Sequence, residues 1–148
     1  EAHPYEEVAY DVYPLHQSGQ ALGPGRLGIL PEPMKLSELI DQVKQVLRIA
    51  MVRVIGDPSR LVQKVAVCGG IGAFLIPAAA SSGAEALITG DVKYHEAQEA
   101  TNRGLAIIDA GHQATEYPAI EFLTGFLKEK LSGVRVKMFD SRPLEKYY

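Results

Sequence analysis

The chain has 148 residues, 47% of them hydrophobic and 22% charged, which suits one compact domain with a real core and excludes a disordered polymer. Its net charge is −3 and its 15 Lys and Arg form no basic run, so nucleic acid is not an expected partner. A single cysteine, Cys68, excludes an intrachain disulfide and fits a reducing cytoplasm, the expected location, and the acidic, polar first residues lack the form of a signal peptide.

In chain order, Val8, Tyr10 and Val12 alternate with Ala9, Asp11 and Tyr13, a strand pattern that begins almost at the first residue. The expectation is that the chain is a fragment of something longer. His16 to Lys35 is rich in Gly and Pro and reads as a connector and a domain boundary. Ser37 can cap a helix whose apolar stripe is Leu36, Leu39, Ile40, Val43, Val46 and Leu47. Met51–Gly56 is a short strand broken by Asp57-Pro58. Thereafter strands and helices alternate: Lys64–Gly70 strand, Gly72–Ser82 helix, Ala86–Gly90 strand, Val92–Arg103 helix, Leu105–Ala110 strand, Ala114–Ser132 amphipathic helix and Val134–Phe139 strand. Short apolar strands alternating with helices of this length predict an α/β fold with a mainly parallel sheet flanked by helices. The apolar stretch Val65–Ile88 is interrupted by Pro77, Glu85 and several glycines, so it reads as strands around a helix and no membrane is expected. No internal repeat is present, and the last residues, Arg142 to Tyr148, read as a tail.

In open α/β sheets, ligands collect at the carboxyl ends of the strands. Three such ends carry Gly69-Gly70-Ile71-Gly72, Gly90-Asp91 with His95 a turn later, and Asp109 through Glu116. Asp91, His95, Asp109, His112 and Glu116 would then share one edge of a parallel sheet. His112 and Glu116 lie four apart and on one helix would share a face, with imidazole and carboxylate donors that suit Zn, Fe, Mn or Ni. The alternative is that Thr115 caps the helix, leaving His112 in a loop and Glu116 to complement the helix dipole. Asp91 either caps the helix carrying His95 or takes a functional role. Gly70 and Gly72 fit the first two positions of a dinucleotide fingerprint, but Leu75 stands in the third; the loop reads as a tight turn or a weak anion contact. His3 and His16 read as exposed polar residues and Cys68 as a small packing residue.

The segments HPYEEVAYDVYPL, GPGRLGILPEPMKLSEL, KVAVCGGIGAFLI, GAEALITGDVKYHEAQEA and LAIIDAGHQATEYPAIEFL, in order and over most of the chain, resemble the NIF-three-like dinuclear-metal family. Some of its members are assigned as type 2 GTP cyclohydrolases. The resemblance implies an α/β fold, a toroidal homohexamer, and two divalent metals held between two related halves of each subunit. It makes His112 and Glu116 metal ligands and places Asp91 and His95 as polar groups lining the same cavity. Residues 1–22 resemble the end of an inserted PII/CutA-like domain with its connector, and 23–148 the C-terminal metal-binding half. The family's remaining ligands lie in an N-terminal half not represented here, so this chain is expected to hold half of the metal site and to be inactive alone. The expected activity of the whole is hydrolase-like, on a nucleotide or another phosphorylated small molecule. The alternatives are a non-enzymatic metal-binding ring-forming scaffold or regulatory partner, and a glycine-loop nucleotide binder without metal.

Overall fold

The computed structural model describes residues 22–139. The strand expected near Val8–Tyr13, the inserted-domain remnant that contains it, and the tail lie outside the described residues, Leu22 excepted.

The sheet has five strands in the order β1-β3-β4-β5-β2. At its centre β3 (Leu61–Ile71), β4 (Ala86–Gly90) and β5 (Ala106–Asp109) run parallel. At its edges β1 (Arg26–Lys35) pairs antiparallel with β3, and β2 (Arg53–Ile55) antiparallel with β5. The architecture is therefore α/β, with a parallel centre and antiparallel borders. The central strands read as continuous apolar runs because both faces are covered: Ala106, Ile107 and Ile108 are each no more than 1% exposed. Leu87 and Ile107 point to one face, packing with Ile76 and Ala79 of α2 (Ile76–Ser81) and Ala100 of α3 (Tyr94–Asn102). Ala86, Ala106 and Ile108 point to the other, against Leu36, Leu39 and Val43 of α1 (Leu36–Leu47).

Four expectations need correction. The stretch from His16 to Lys35 is not wholly a connector, because its second half is β1. Pro31 and Pro33, which would interrupt an interior strand, are tolerated on an edge, and the register with β3 shifts between Ile29 and Met34. Ser37 does not cap α1. The first free amides of that helix, Leu36 and Ser37, donate instead to the Arg60 and Pro58 carbonyls at 2.8 and 2.9 Å, and Glu38 reaches back to the Lys35 amide at 3.1 Å. Val134–Phe139 has no regular structure. Finally, α4 (His112–Lys130) starts at His112 rather than after Thr115, with Pro118 inside it. No α4 residue is fully buried, and its apolar residues Ile120, Phe122, Leu123 and Phe126 are all exposed. The Val65–Ile88 stretch folds as β3, α2 and β4 with a short 3-10 turn between. Among the described residues no helix is long and apolar enough to cross a membrane.

Candidate functional site at the strand ends

Because β3, β4 and β5 are parallel, their carboxyl ends meet on one edge, and the start of α4 lies across two of them. Gly90, at the end of β4, faces the Gly111–His112 peptide so closely that an added Cβ would sit 2.6 Å from the Gly111 carbonyl carbon and 2.7 Å from the His112 nitrogen. At the end of β3, Gly69 lies against the Thr115 carbonyl, and the Gly70 amide donates to Thr115 Oγ1 at 2.9 Å. Gly70 has a φ of +63°, and a Cβ there would meet Glu116 Oε1 at 2.6 Å. These small residues let α4 begin on the sheet edge and place His112 and Glu116 beside the strand ends.

His112 stands between two carboxylates. Its Nδ1 is 2.6 Å from Asp91 Oδ2, and its Nε2 is 3.2 Å from Glu116 Oε1. Asp91 directly follows β4 and adopts a φ of 55°, a left-handed conformation that Asp tolerates better than most residues but still at some strain. The hydrogen bond that the His112 ring donates to Asp91 holds the His112 pKa above its ordinary value. The charges of Glu116 and Asp91 add to the shift, and partial desolvation opposes it. Asp91 therefore does not cap α3, whose N-cap position is Lys93. Its partner is 21 residues away rather than four.

Asp109 lies beside this group without touching it. Its Oδ2 accepts from Arg53 at 2.8 Å and from the Val92 amide at 3.2 Å, and its Oδ1 accepts from the Gly111 amide at 3.2 Å. His95 is exposed on the first turn of α3, its ring edge-on to Tyr94 with centroids 5.4 Å apart. Among the described residues no hydrogen bond or ion pair joins His95 to Asp91, His112 or Glu116. Gly70 and Gly72 pack closely: Gly70 against Glu116 and His112, Gly72 against Thr89 and Cys68. The Gly70 amide donates to Thr115 Oγ1 at 2.9 Å. Burial raises the Cys68 thiol pKa, as suits a packing residue. Two residues that hold this site carry no site signal in the sequence: Arg53 arrives from an antiparallel edge strand, and Thr115 reads there as a helix cap.

The donor chemistry has one half of the form of a metal centre. A histidine ligand characteristically gives its second ring nitrogen to a carboxylate, which fixes its tautomer. Asp91 on Nδ1 does this and leaves Nε2 facing the same space as Glu116 Oε1. Two donors about 2.0–2.2 Å from a shared ion, at tetrahedral to octahedral angles, lie about 2.8–3.6 Å apart. The observed separation of 3.2 Å falls in that interval, and it equally serves a hydrogen bond from a protonated ring. Among the described residues no group of three or more His, Cys, Asp or Glu is disposed to hold a metal ion. The pair fits a metal as a partial donor set.

The structure defines an α/β fold with a carboxylate-flanked histidine at its parallel strand ends, the edge where open α/β sheets in general collect ligands. The chain belongs to the Duf34/NIF3 (NGG1p interacting factor 3) family, whose sequence profile matches residues 5–143. It is 46% identical over 141 residues to the GTP cyclohydrolase 1 type 2 homolog of Halalkalibacterium halodurans, covering 95% of this chain and 37% of that protein. The Bacillus subtilis protein of the same name is 41% identical over 138 residues, covering 91% of this chain and 37% of that one. A crystal structure of a Bacillus cereus protein related to NIF3 superposes with a TM-score of 0.75 at 39% identity, over 98% of this chain and 41% of that one. The chain thus spans little more than a third of the length of these curated relatives.

Proposed function

We propose that His112 and Glu116 are one half of a divalent-metal site in a hydrolase-like protein acting on a nucleotide or another phosphorylated small molecule. The observation that carries this reading is His112 held between Asp91 and Glu116, with Nδ1 fixed at 2.6 Å and Nε2 presented beside Glu116 Oε1 at 3.2 Å. The names of the relatives, GTP cyclohydrolase 1 type 2 homolog, support the substrate class. Asp91 would keep the proton on Nδ1, so that the Nε2 lone pair is available to the ion, and Glu116 would supply an anionic oxygen. When bound, a divalent metal acidifies water and offsets phosphate charge. The other donors, a second metal and a hexameric ring belong to the proposal for a longer protein of the relatives' length. Zn, Fe, Mn and Ni all suit this nitrogen-and-oxygen pair. The test is metal stoichiometry and chelator-sensitive nucleotide hydrolysis in protein carrying His112→Ala or Glu116→Ala. Both variants should lose metal, and unchanged stoichiometry in both refutes the assignment.

A second reading, a metal-binding ring-forming scaffold without turnover, is favoured by the exposed apolar residues of α4, Ile120, Phe122, Leu123 and Phe126. Metal-loaded protein that binds nucleotides without converting them supports the scaffold. Turnover abolished by chelation supports the enzyme.

A further inference from the structure

We propose that Arg53 and Asp109 form a positioning pair that sets the Asp91–His112 contact, and hence the presentation of His112 Nε2. The inference deepens the metal reading and rests on it for its metal arm. Asp91 lies in the loop after β4, whereas His112 is the first residue of α4, reached from β5 through Ala110 and Gly111. A contact of 2.6 Å between them requires the loop after β4 and the start of α4 to be fixed against each other. The residue after Asp91 is Val92, and the residue before His112 is Gly111. Asp109 accepts the amides of both, each at 3.2 Å, one on each carboxylate oxygen. Arg53 completes the arrangement by donating to Asp109 Oδ2 at 2.8 Å and, through the same nitrogen, to the Val92 carbonyl. Val92 is thereby held through both its N–H and its C=O, and the neighbouring Asp91 keeps its left-handed turn.

The frame beneath this clamp is rigid. Asp109 is opposite Thr89 in the β4–β5 ladder and opposite Arg53 in the β5–β2 ladder, and the Ala110 amide donates to the Thr89 carbonyl at 2.8 Å. The Asp109 side chain is 10% exposed and that of Arg53 54%. An ordinary half-exposed ion pair contributes little to stability. What distinguishes this pair is that its carboxylate bridges the segments next to Asp91 and His112.

The test uses metal-free protein, with the His112 ring nitrogens followed by ¹⁵N NMR where the ring is neutral, to report which nitrogen carries the proton. Zinc uptake is measured separately by competition with a chromophoric chelator. Arg53→Met and Asp109→Asn should lose the Nδ1–H state imposed by Asp91, and zinc affinity should fall about 10- to 100-fold, as for other groups that orient a ligand. Arg53→Lys, which keeps the charge but has a shorter side chain and a differently shaped donor group, should fall between. Arg53 is half exposed, so its substitution carries the test if Asp109→Asn fails to fold. In an Asp91→Asn background, Arg53→Met should have no further effect on zinc affinity; additive losses would mean that Arg53 does not act through Asp91 and overturn the proposal. A wild-type His112 tautomer in Arg53→Met also overturns it. A changed tautomer together with zinc uptake indifferent to His112→Ala refutes the metal reading and leaves the positioning pair standing.

Discussion

Replacing Gly90 by Ala adds one methyl group where the end of β4 meets the start of α4. Gly90 is not in the left-handed region, so the substitution has no conformational cost and tests packing alone. The new Cβ would stand 2.6 Å from the Gly111 carbonyl carbon, 2.7 Å from the His112 nitrogen and 2.8 Å from the Gly111 oxygen. All three are backbone atoms, so no side chain can swing aside. Ordinary contact lies near 3.5–4 Å, which requires an opening of about 1 Å. β4 is bonded on both sides within the sheet, whereas α4 has no fully buried residue, so the helix start should move. Overpacking of this kind costs about 1–3 kcal/mol. A shift of about 1 Å would also stretch the 2.6 Å His112–Asp91 contact beyond hydrogen-bond range. Urea denaturation should show a lower midpoint at unchanged m, and the ¹⁵N signals of His112 should lose the Nδ1–H state. A stability loss below about 0.5 kcal/mol with unchanged His112 signals would refute the reasoning, since the docking of α4 on Gly90 could not then set the site.

Gly70→Ala should behave differently. The left-handed φ costs about 1–2 kcal/mol, but the steric conflict is with the flexible end of Glu116, so metal uptake should fall through displacement of that carboxylate; full retention of metal would contradict this. The Glu85 carboxylate accepts the Gln63 and Lys64 amides at 2.7 and 2.9 Å, and these bonds, that from Lys64 first, hold its pKa below the usual 4.5. Because the folded value is depressed, the contribution is present above the unfolded pKa and is lost as pH falls through the folded one. Glu85→Gln should therefore lower stability at neutral pH and flatten its acid limb in urea titrations below about pH 4.5, and an unchanged acid limb would count against the bonds. On α1, Leu36→Ala should cost about 2–5 kcal/mol and Val46→Ala under about 0.5, since Leu36 is fully buried and Val46 is 73% exposed. Comparable losses from thermal melts would place the apolar face of α1 elsewhere.

The central strands and the three helices after them were legible because each is a short apolar run or a periodic stripe bounded by Gly, Pro or Asp. β1 was hidden because Pro31 and Pro33 read as loop residues, and only the edge position, a property of the assembled sheet, makes them acceptable. The i, i+4 relation of His112 and Glu116 was visible as spacing, but whether both lay on a helix was not. Thr115 offered a local cap, and the docking of residues 111–116 over Gly69, Gly70 and Gly90 decided for the longer helix. The spacing of Asp91 and His95 suggested a local pair. The partner Asp91 takes is set by strand order, which brings the β4 and β5 loops together. Arg53 carried no local signal, since its role depends on antiparallel pairing with the strand that bears Asp109.

Asp91 brings together the competing demands of fold and site. A φ of 55° favours glycine, and the preceding residue, Gly90, already supplies the close approach, so nothing in the turn itself calls for a carboxylate. Asp91→Gly should relieve roughly 1 kcal/mol of left-handed strain, partly offset by the greater freedom of glycine in the unfolded chain. The contact with His112 is well exposed on both sides, so its loss should return little of that gain. Stability should therefore rank Gly at or above Asp, Asp near Asn, and Ala lowest. Metal uptake should follow another order, Asp first and Asn, Gly and Ala well below, because only the carboxylate keeps the proton on Nδ1. Urea midpoints and zinc competition on the four proteins separate the two orders. A carboxylate serving the turn alone predicts a loss of stability in Asp91→Gly with no change in zinc affinity. Opposite movement of the two quantities is what a residue retained for the site at the expense of the fold must show.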